Sequence, residues 1–311
     1  MDLQSPKTML YQSVFFALLN KRSDLLKITQ DQIQILDLFS LLNALTNKTD
    51  VFEFARQHLP SAYIYLQSQS KDFDLLLQQH CKLLQQDSIH ILPWGSVSYP
   101  KVFYHLKDPP AVIYVYGHLE ALSKEAISVV GSRKTTLQTQ HWMEIEFKKF
   151  LLATQICTVS GGAYGVDQSV HLLSVRLGLP TVVVLPCGLK QLYPSNLKAM
   201  QSEVLKTGGV FISEFSPEQR MKKYYFYHRN RLIAALGLAL LVPQAQLRSG
   251  TLLTVQHAVD ISRPVFAVPG HPQDLFFAGN LQIILEGATM ARDAQDLNCL
   301  FSLERKVWAL M

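Results

Sequence analysis

Twelve consecutive residues, Arg220-Met221-Lys222-Lys223-Tyr224-Tyr225-Phe226-Tyr227-His228-Arg229-Asn230-Arg231, carry five cations and four aromatic rings. They lie within Gln219 to Val259, forty-one residues without a single Asp or Glu. Single-stranded nucleic acid asks for that mixture: cations for phosphates, and flat rings or guanidinium planes on which unstacked bases lie. The competing reading is a solvated basic face beside an aromatic cluster packed in the core. Phe226, with Tyr225 beside it, is expected to be core.

A second kind of feature recurs at the ends of short apolar runs. Gly131-Ser132-Arg133-Lys134, Ser160-Gly161-Gly162-Ala163-Tyr164-Gly165-Val166-Asp167, Pro186-Cys187-Gly188 and Arg248-Ser249-Gly250-Thr251 each follow such a run or the loop after it, and most of them lead into a helical pattern. Glycine there lets a backbone approach a ligand, and a following helix adds the positive end of its dipole. Gly131, Ser132, Arg133, Gly161, Gly162, Gly165, Arg248, Ser249, Gly250 and Thr251 are the candidate rim of an anion site. Lys222, Lys223, Arg229, Asn230 and Arg231 are added from the basic cluster. Tight strand-to-helix packing is the alternative for any one of these turns alone.

Other chemistries find no footing. There is no G-x-x-x-x-G-K-[ST], no G-x-G-x-x-G followed by an acidic ribose ligand, no nucleophile elbow at Ser160 or Ser249 and no metal-binding histidine spacing. No catalytic residue, metal or cofactor is expected. Asp167 and His171 stand four apart on one helical face and could pair, with capping of the helix as the structural alternative.

The elements that must position these residues fall in two unlike segments of the 311-residue chain. All 15 glycines lie between Gly95 and Gly287, and residues 1–90 carry 8 Lys+Arg against 9 Asp+Glu while residues 91–311 carry 21 against 15. A polyanion would therefore bind the second segment. Residues 1–90 repeat apolar residues at helical spacing, as in Phe15, Leu18, Leu19, then Ile33, Leu36, Phe39, Leu42, then Leu75, Leu76, Leu83, Leu84. That predicts a helical domain of about five helices, punctuated at Asn47–Asp50 and Pro60. Residues 91–120, with Pro93, Pro100, Pro109 and Pro110, are expected to be an extended connector.

From residue 121 to 291 the rhythm becomes that of an α/β fold. Strands are expected at Ile127–Val130, Ile156–Ser160, Thr181–Leu185, Val210–Ser213, Leu238–Val242 and Val265–Val268. Helices are expected at 137–154, 165–178, 195–207, 229–236, 250–261 and 279–286, and residues 292–311 form a C-terminal helical tail. Apolar strands alternating with helices predict a Rossmann-like, doubly wound, mostly parallel sheet, with ligands outside the carboxyl ends of its strands. Four scattered cysteines and apolar windows shorter than a membrane span suggest a cytoplasmic protein with no membrane partner.

The ordered motifs "GSR", "SGGAYGVDQSVH", "LPCGLKQLYPSN", "ISEF", "FYHRNRLIAAL", "RSGTLLTVQHA", "RPVFAVPG" and "GNLQIILEGA" resemble the DNA-processing protein A (DprA/Smf) family from about Tyr99 to Ala288. The resemblance implies an extended Rossmann-like domain that binds single-stranded DNA, forms homodimers, works beside single-strand-binding protein and helps load the RecA recombinase in natural transformation. It implies no enzyme. Arg133 matches the arginine of "GSR", and Gly161, Gly162, Gly165 and Asp167 match "SGxAxGxD". Lys222 and Lys223 fall where members carry a DNA-contacting lysine, Arg229 to Arg231 match "RNR", and Arg248 to Thr251 match "KSGSL/T" with Arg in place of Lys. A winged-helix-like C-terminal domain found in many members is expected to be missing or reduced to one helix. The N-terminal helices are expected to serve packing or partner contact.

An enzyme that cleaves nucleoside monophosphates is the alternative. Its "PGGxGTxxE" loop would correspond to Arg248 to Thr254, which puts Thr254 where the catalytic carboxylate is needed.

Overall fold

The computed structural model describes residues 6–21, 23–35, 45–86 and 88–309, which form two compact units, Met1–Tyr116 and Gly117–Met311. Leu36, Phe39 and Leu42 of the periodic run lie outside the described residues.

In the first unit, helices α1 (Pro6–Leu19), α2 (Ser23–Ile35), α3 (Lys48–His58), α4 (Pro60–Ser68) and α5 (Ser70–Gln86) follow one another. The apolar residues of α1 do not keep to one stripe, and Val14, Phe15, Phe16, Leu18 and Leu19 are all fully buried, as a helix at the centre of its unit requires. The expected punctuation marks are helix starts: Asn47 caps α3 by accepting from the Asp50 N–H at 2.9 Å, and Pro60 opens α4. The proline-rich connector differs from expectation. It holds an antiparallel pair, β1 (Ile89–Pro93) and β2 (Val112–Gly117), with Ile89 opposite Tyr116 and Pro93 opposite Val112. Its prolines bound the strands rather than interrupt them, so they mask an apolar run that pairs.

The second unit is a parallel sheet of seven strands: β3 (Ala126–Val129), β4 (Cys157–Ser160), β5 (Thr181–Val184), β6 (Val210–Ser213), β7 (Ala239–Val242), β8 (Val265–Ala267) and β9 (Thr289–Met290). Their order is β6-β5-β4-β3-β7-β8-β9. All six expected strands are present within one residue at either end, and the two-residue β9 is additional. The helices are α6 (Leu137–Trp142) running through a π turn into α7 (Lys148–Thr154), α8 (Val166–Arg176), α9 (Leu197–Lys206), α10 (Tyr225–Leu236), α11 (Gly250–Asp260), α12 (Ala278–Leu285) and α13 (Ala294–Ala309). Phe147, Phe150 and Phe301 pack with Ile127, Leu241 and Phe266 in a hydrophobic core. This is the doubly wound α/β architecture expected.

Two consequences of this topology position the site. Strand order runs one way from β3 through β6 and the other way from β7 through β9, so the sheet reverses between β3 and β7. The loops leaving those two strands diverge and leave a crevice at their carboxyl ends. Helix α10 also begins at Tyr225, four residues before the expected start, which puts the aromatic cluster on its first turn.

Candidate nucleic-acid interface

The crevice is a cleft of about 500 Å³. Gly131, Ser132, Arg133 and Lys134 from the β3 exit form one wall, and Gln246, Ser249, Gly250 and Thr251 after β7 form the other. Phe226, Arg229 and Asn230 of α10 close one side. Eight of the fifteen candidate residues therefore meet at one place.

Gln244, fully buried, fixes the first wall. Its Oε1 accepts from the Thr136 N–H at 2.9 Å and the Thr139 hydroxyl at 2.6 Å, its Nε2 donates to Lys134 O at 2.9 Å, and its carbonyl accepts from the Ser132 N–H at 2.8 Å. Asn280 holds the other wall, accepting from the Ala245 N–H while donating to Val242 O and Val268 O. The "GN" of the eighth motif is thus a clasp between two strand exits rather than a ligand contact. On the second wall, Ser249 stands at the N-cap of α11 with extended dihedrals, and its buried hydroxyl caps nothing and has no partner among the described residues. The cleft therefore borders the positive end of a helix whose capping hydroxyl is uncommitted.

Arg229 explains why the glycine turn is glycine. Its side chain is buried, Nη1 donates to Val184 O at 2.7 Å, and a Cβ on Gly161 would fall on its guanidinium. Burial pulls Arg229 down to about 10, opposed by the neighbouring Asp167 carboxylate, so it remains a cation at neutral pH. Burial likewise pushes Asp167 upward, against the charge of Arg229 and a hydrogen bond from the Ala163 N–H at 3.3 Å. Asp167 and His171 find different partners, since His171 Nδ1 shares a 2.7 Å hydrogen bond with the Thr181 hydroxyl. Gly165 has φ 78°, and a side chain there would collide with the Ser132 and Arg133 backbone, so the second turn can seat against the first only through glycine.

Phe226 is half-buried in the cleft wall and not in the core. Two guanidinium groups approach its ring, with the Arg133 Cζ at 5.2 Å and the Arg229 Cζ at 5.8 Å from its centre. Tyr225 is the buried ring, packed on Phe215. The expectation for Phe226 fails because α10 starts early and turns that ring toward the loops.

The remaining candidates divide. Lys222, Lys223 and Arg248 are exposed outside the cleft and form no ion pair among the described residues. Arg231 is committed internally, because both nitrogens reach Glu214 at 2.7 Å and Nη1 also donates to His228 O. It holds the base of α10 instead of facing a ligand. Gly161 borders a smaller slot beside the cleft, and Gly162 and Gly165 shape the turn from behind. Sequence reasoning missed Gln244, Gln246, Asn280 and Phe276. The acid-free stretch and the eighth motif contain the first three, but a neutral amide gives no charge signal.

Residues 90–301 match the DNA recombination-mediator protein A family. The chain is 30% identical over 231 residues to Protein Smf of Borreliella burgdorferi, covering 74% of this chain and 72% of that protein. The X-ray structure of DNA processing protein A (DprA) from Streptococcus pneumoniae matches it with a TM-score of 0.71 at 25% identity, over 96% of this chain and 98% of that one. DNA processing protein A from Helicobacter pylori, solved for insight into its single-stranded DNA binding mode, matches with a TM-score of 0.61 at 27% identity, over 69% and 96%.

Proposed function

The chain belongs to the DNA recombination-mediator protein A family, and from that premise we propose that it binds single-stranded DNA in the cleft between the β3 and β7 exits. In this reading it protects incoming strands and loads RecA recombinase beside single-strand-binding protein during natural transformation, as a cytoplasmic homodimer without enzymatic activity. The observation that carries the reading is the meeting of Arg133 and Phe226 with the N-terminus of α11 in one cleft. Arg133 has no carboxylate partner among the described residues, Phe226 offers a ring already polarised by two cations, and Ser249 and the first N–H groups of α11 suit a phosphate.

Lys222, Lys223 and Arg248 would extend the electrostatic footprint beyond the cleft, while Arg231, Gly162 and Gly165 would position it. Exposed Leu285 and Met290 beside the edge strand β9 favour a homodimer contact on that side of the sheet. The nucleoside-monophosphate-cleaving alternative is disfavoured by the cleft itself. Thr254 lies in its wall as a neutral hydroxyl, and the carboxylate that does line it, Asp167, is buried against Arg229.

The test is RecA filament assembly on DNA coated with single-strand-binding protein, followed by RecA ATP turnover with and without this protein. Stimulation by wild type that Arg133→Ala abolishes is the expected result. Oligo-dT binding without stimulation would leave a DNA binder and remove the loading role, and release of free base from nucleoside monophosphates would favour the enzyme.

A further inference from the structure

Beside the main cleft lies a shallow slot of about 30 Å³ whose walls include Arg133, Gly161, Tyr164, Tyr193 and Phe226. Arg133 and Phe226 border both spaces. Tyr164 sits in the glycine turn after β4 and is 52% exposed, and Tyr193 sits in the loop before α9 and is 40% exposed. Tyr164 makes no ring contact or hydrogen bond among the described residues. The Tyr193 and Phe226 rings are nearly perpendicular, with centroids 5.9 Å apart and planes at 80°. They are therefore not stacked face to face, and Tyr193 keeps its solvent-exposed surface beside the slot.

Two large rings held half-exposed around a cation that serves the neighbouring cleft ask for a flat ligand. The slot is too small to enclose a base, but a base can stack on an open ring face without being enclosed. No carboxylate borders it, so an anionic backbone meets only attraction there. Because Arg133 borders both spaces, a phosphate held there would have one neighbouring nucleoside at the cleft and the other at the slot.

We propose that Tyr164 and Tyr193 form a second, sequence-tolerant base-stacking subsite for the nucleotide adjoining the one held in the main cleft. The proposal rests on the reading that the cleft takes single-stranded DNA, and it assigns Tyr164 and Tyr193 a role that neither the acid-free stretch nor the glycine turns require. The two subsites share Arg133, so the strand must turn around that guanidinium. Each stacked base is worth about 5- to 150-fold in affinity.

The test is fluorescence anisotropy with a short labelled oligo-dT in which one abasic residue is walked through successive positions. With wild type, abasic substitution is expected to weaken binding at two adjacent positions, by at least about fivefold each. With the Tyr164→Ala/Tyr193→Ala double variant, one of those two penalties disappears while the other persists. Tyr164→Phe with Tyr193→Phe keeps both, since stacking needs the ring and not the hydroxyl. Both tyrosines are partly exposed, and a melting temperature close to that of wild type shows that the double variant folds. If the double variant shows the same two penalties as wild type, the second subsite is wrong and the DNA-binding reading stands. If wild type binds no oligo-dT, the DNA-binding reading itself is wrong and the subsite falls with it.

Discussion

The helical Met1–Tyr116 unit pairs several of its cations with carboxylates, and the carboxyl edge of the parallel sheet leaves most of its cations without one. In the helical unit Lys21 and Lys48 reach Asp72 and Asp74 at 2.7 and 2.8 Å, and Arg56 reaches Glu53 at 2.6 Å. Even the buried imidazole of His80 is answered, with Nδ1 2.6 Å from the Ser13 hydroxyl and Nε2 3.2 Å from that of Tyr114. At the sheet edge Arg133, Lys134, Lys222, Lys223 and Arg248 form no ion pair among the described residues. Arg231, which reaches Glu214, and Lys190, which reaches Glu218, are exceptions, and both carboxylates lie outside the acid-free stretch. Where the chain withholds carboxylates, a ligand must supply the anions.

The largest effect is expected at the nearly buried pair of Arg231 with Glu214. Glu214→Ala strands a nearly buried guanidinium and should cost about 3–5 kcal/mol, read as a fall in denaturation midpoint. An unchanged midpoint would mean that Arg231 is not internally committed and belongs with the free cations.

Acid should next weaken both units through their buried imidazoles. Burial holds His80 down at about 4, against 6.5 for the free side chain, so the unfolded chain takes up the proton first as pH falls. Stability is full above pH 6.5 and is lost progressively toward pH 4, by about 3 kcal/mol from this group. Buried His171, pulled down to about 3, acts in the same direction in the sheet unit. Amide exchange in α1 and α5 followed from pH 7 to 4 measures this. A His80→Phe variant whose exchange shows the same acid dependence would remove His80 as its source.

Gly161→Ala is expected to do less to stability and more to binding. The added methyl group must displace Arg229, at about 1–3 kcal/mol by overpacking, and the shift of Arg229 should weaken oligo-dT binding together with it. Wild-type stability and affinity in this variant would disprove the close approach. The smallest effect belongs to Lys21→Ala, whose exposed pair with Asp72 contributes about 1 kcal/mol or less. Its oligo-dT affinity should match wild type, and a clear loss would mean that the helical unit also takes part in binding.

The parts of this molecule legible in its sequence are those written in period and charge. Continuous apolar strands alternating with helices led to every long strand of the sheet, and the gathering of glycine turns at strand exits located the cleft, because a parallel sheet binds at its carboxyl ends. Neutral polar contacts were not legible. Gln244 and Asn280 organise the two walls through amides that look like any loop residue until the strand order brings β3, β7 and β8 together. Phe226 was misjudged for a related reason, since nothing in a run of four aromatics says which ring the first turn of α10 will face inward. The pair β1 and β2 was hidden by prolines that sit at strand ends.

Phosphates are the expected partners of the sheet-edge cations, and salt dependence tests this most directly. Oligo-dT affinity measured across a salt series should give a slope of log K against log salt of roughly −2 to −3.5, for three to five phosphate contacts at about −0.7 each. Arg133→Ala should bind more weakly and shift that slope by about 0.7 toward zero. A slope near zero, or one that Arg133→Ala leaves unchanged along with the affinity, would contradict it.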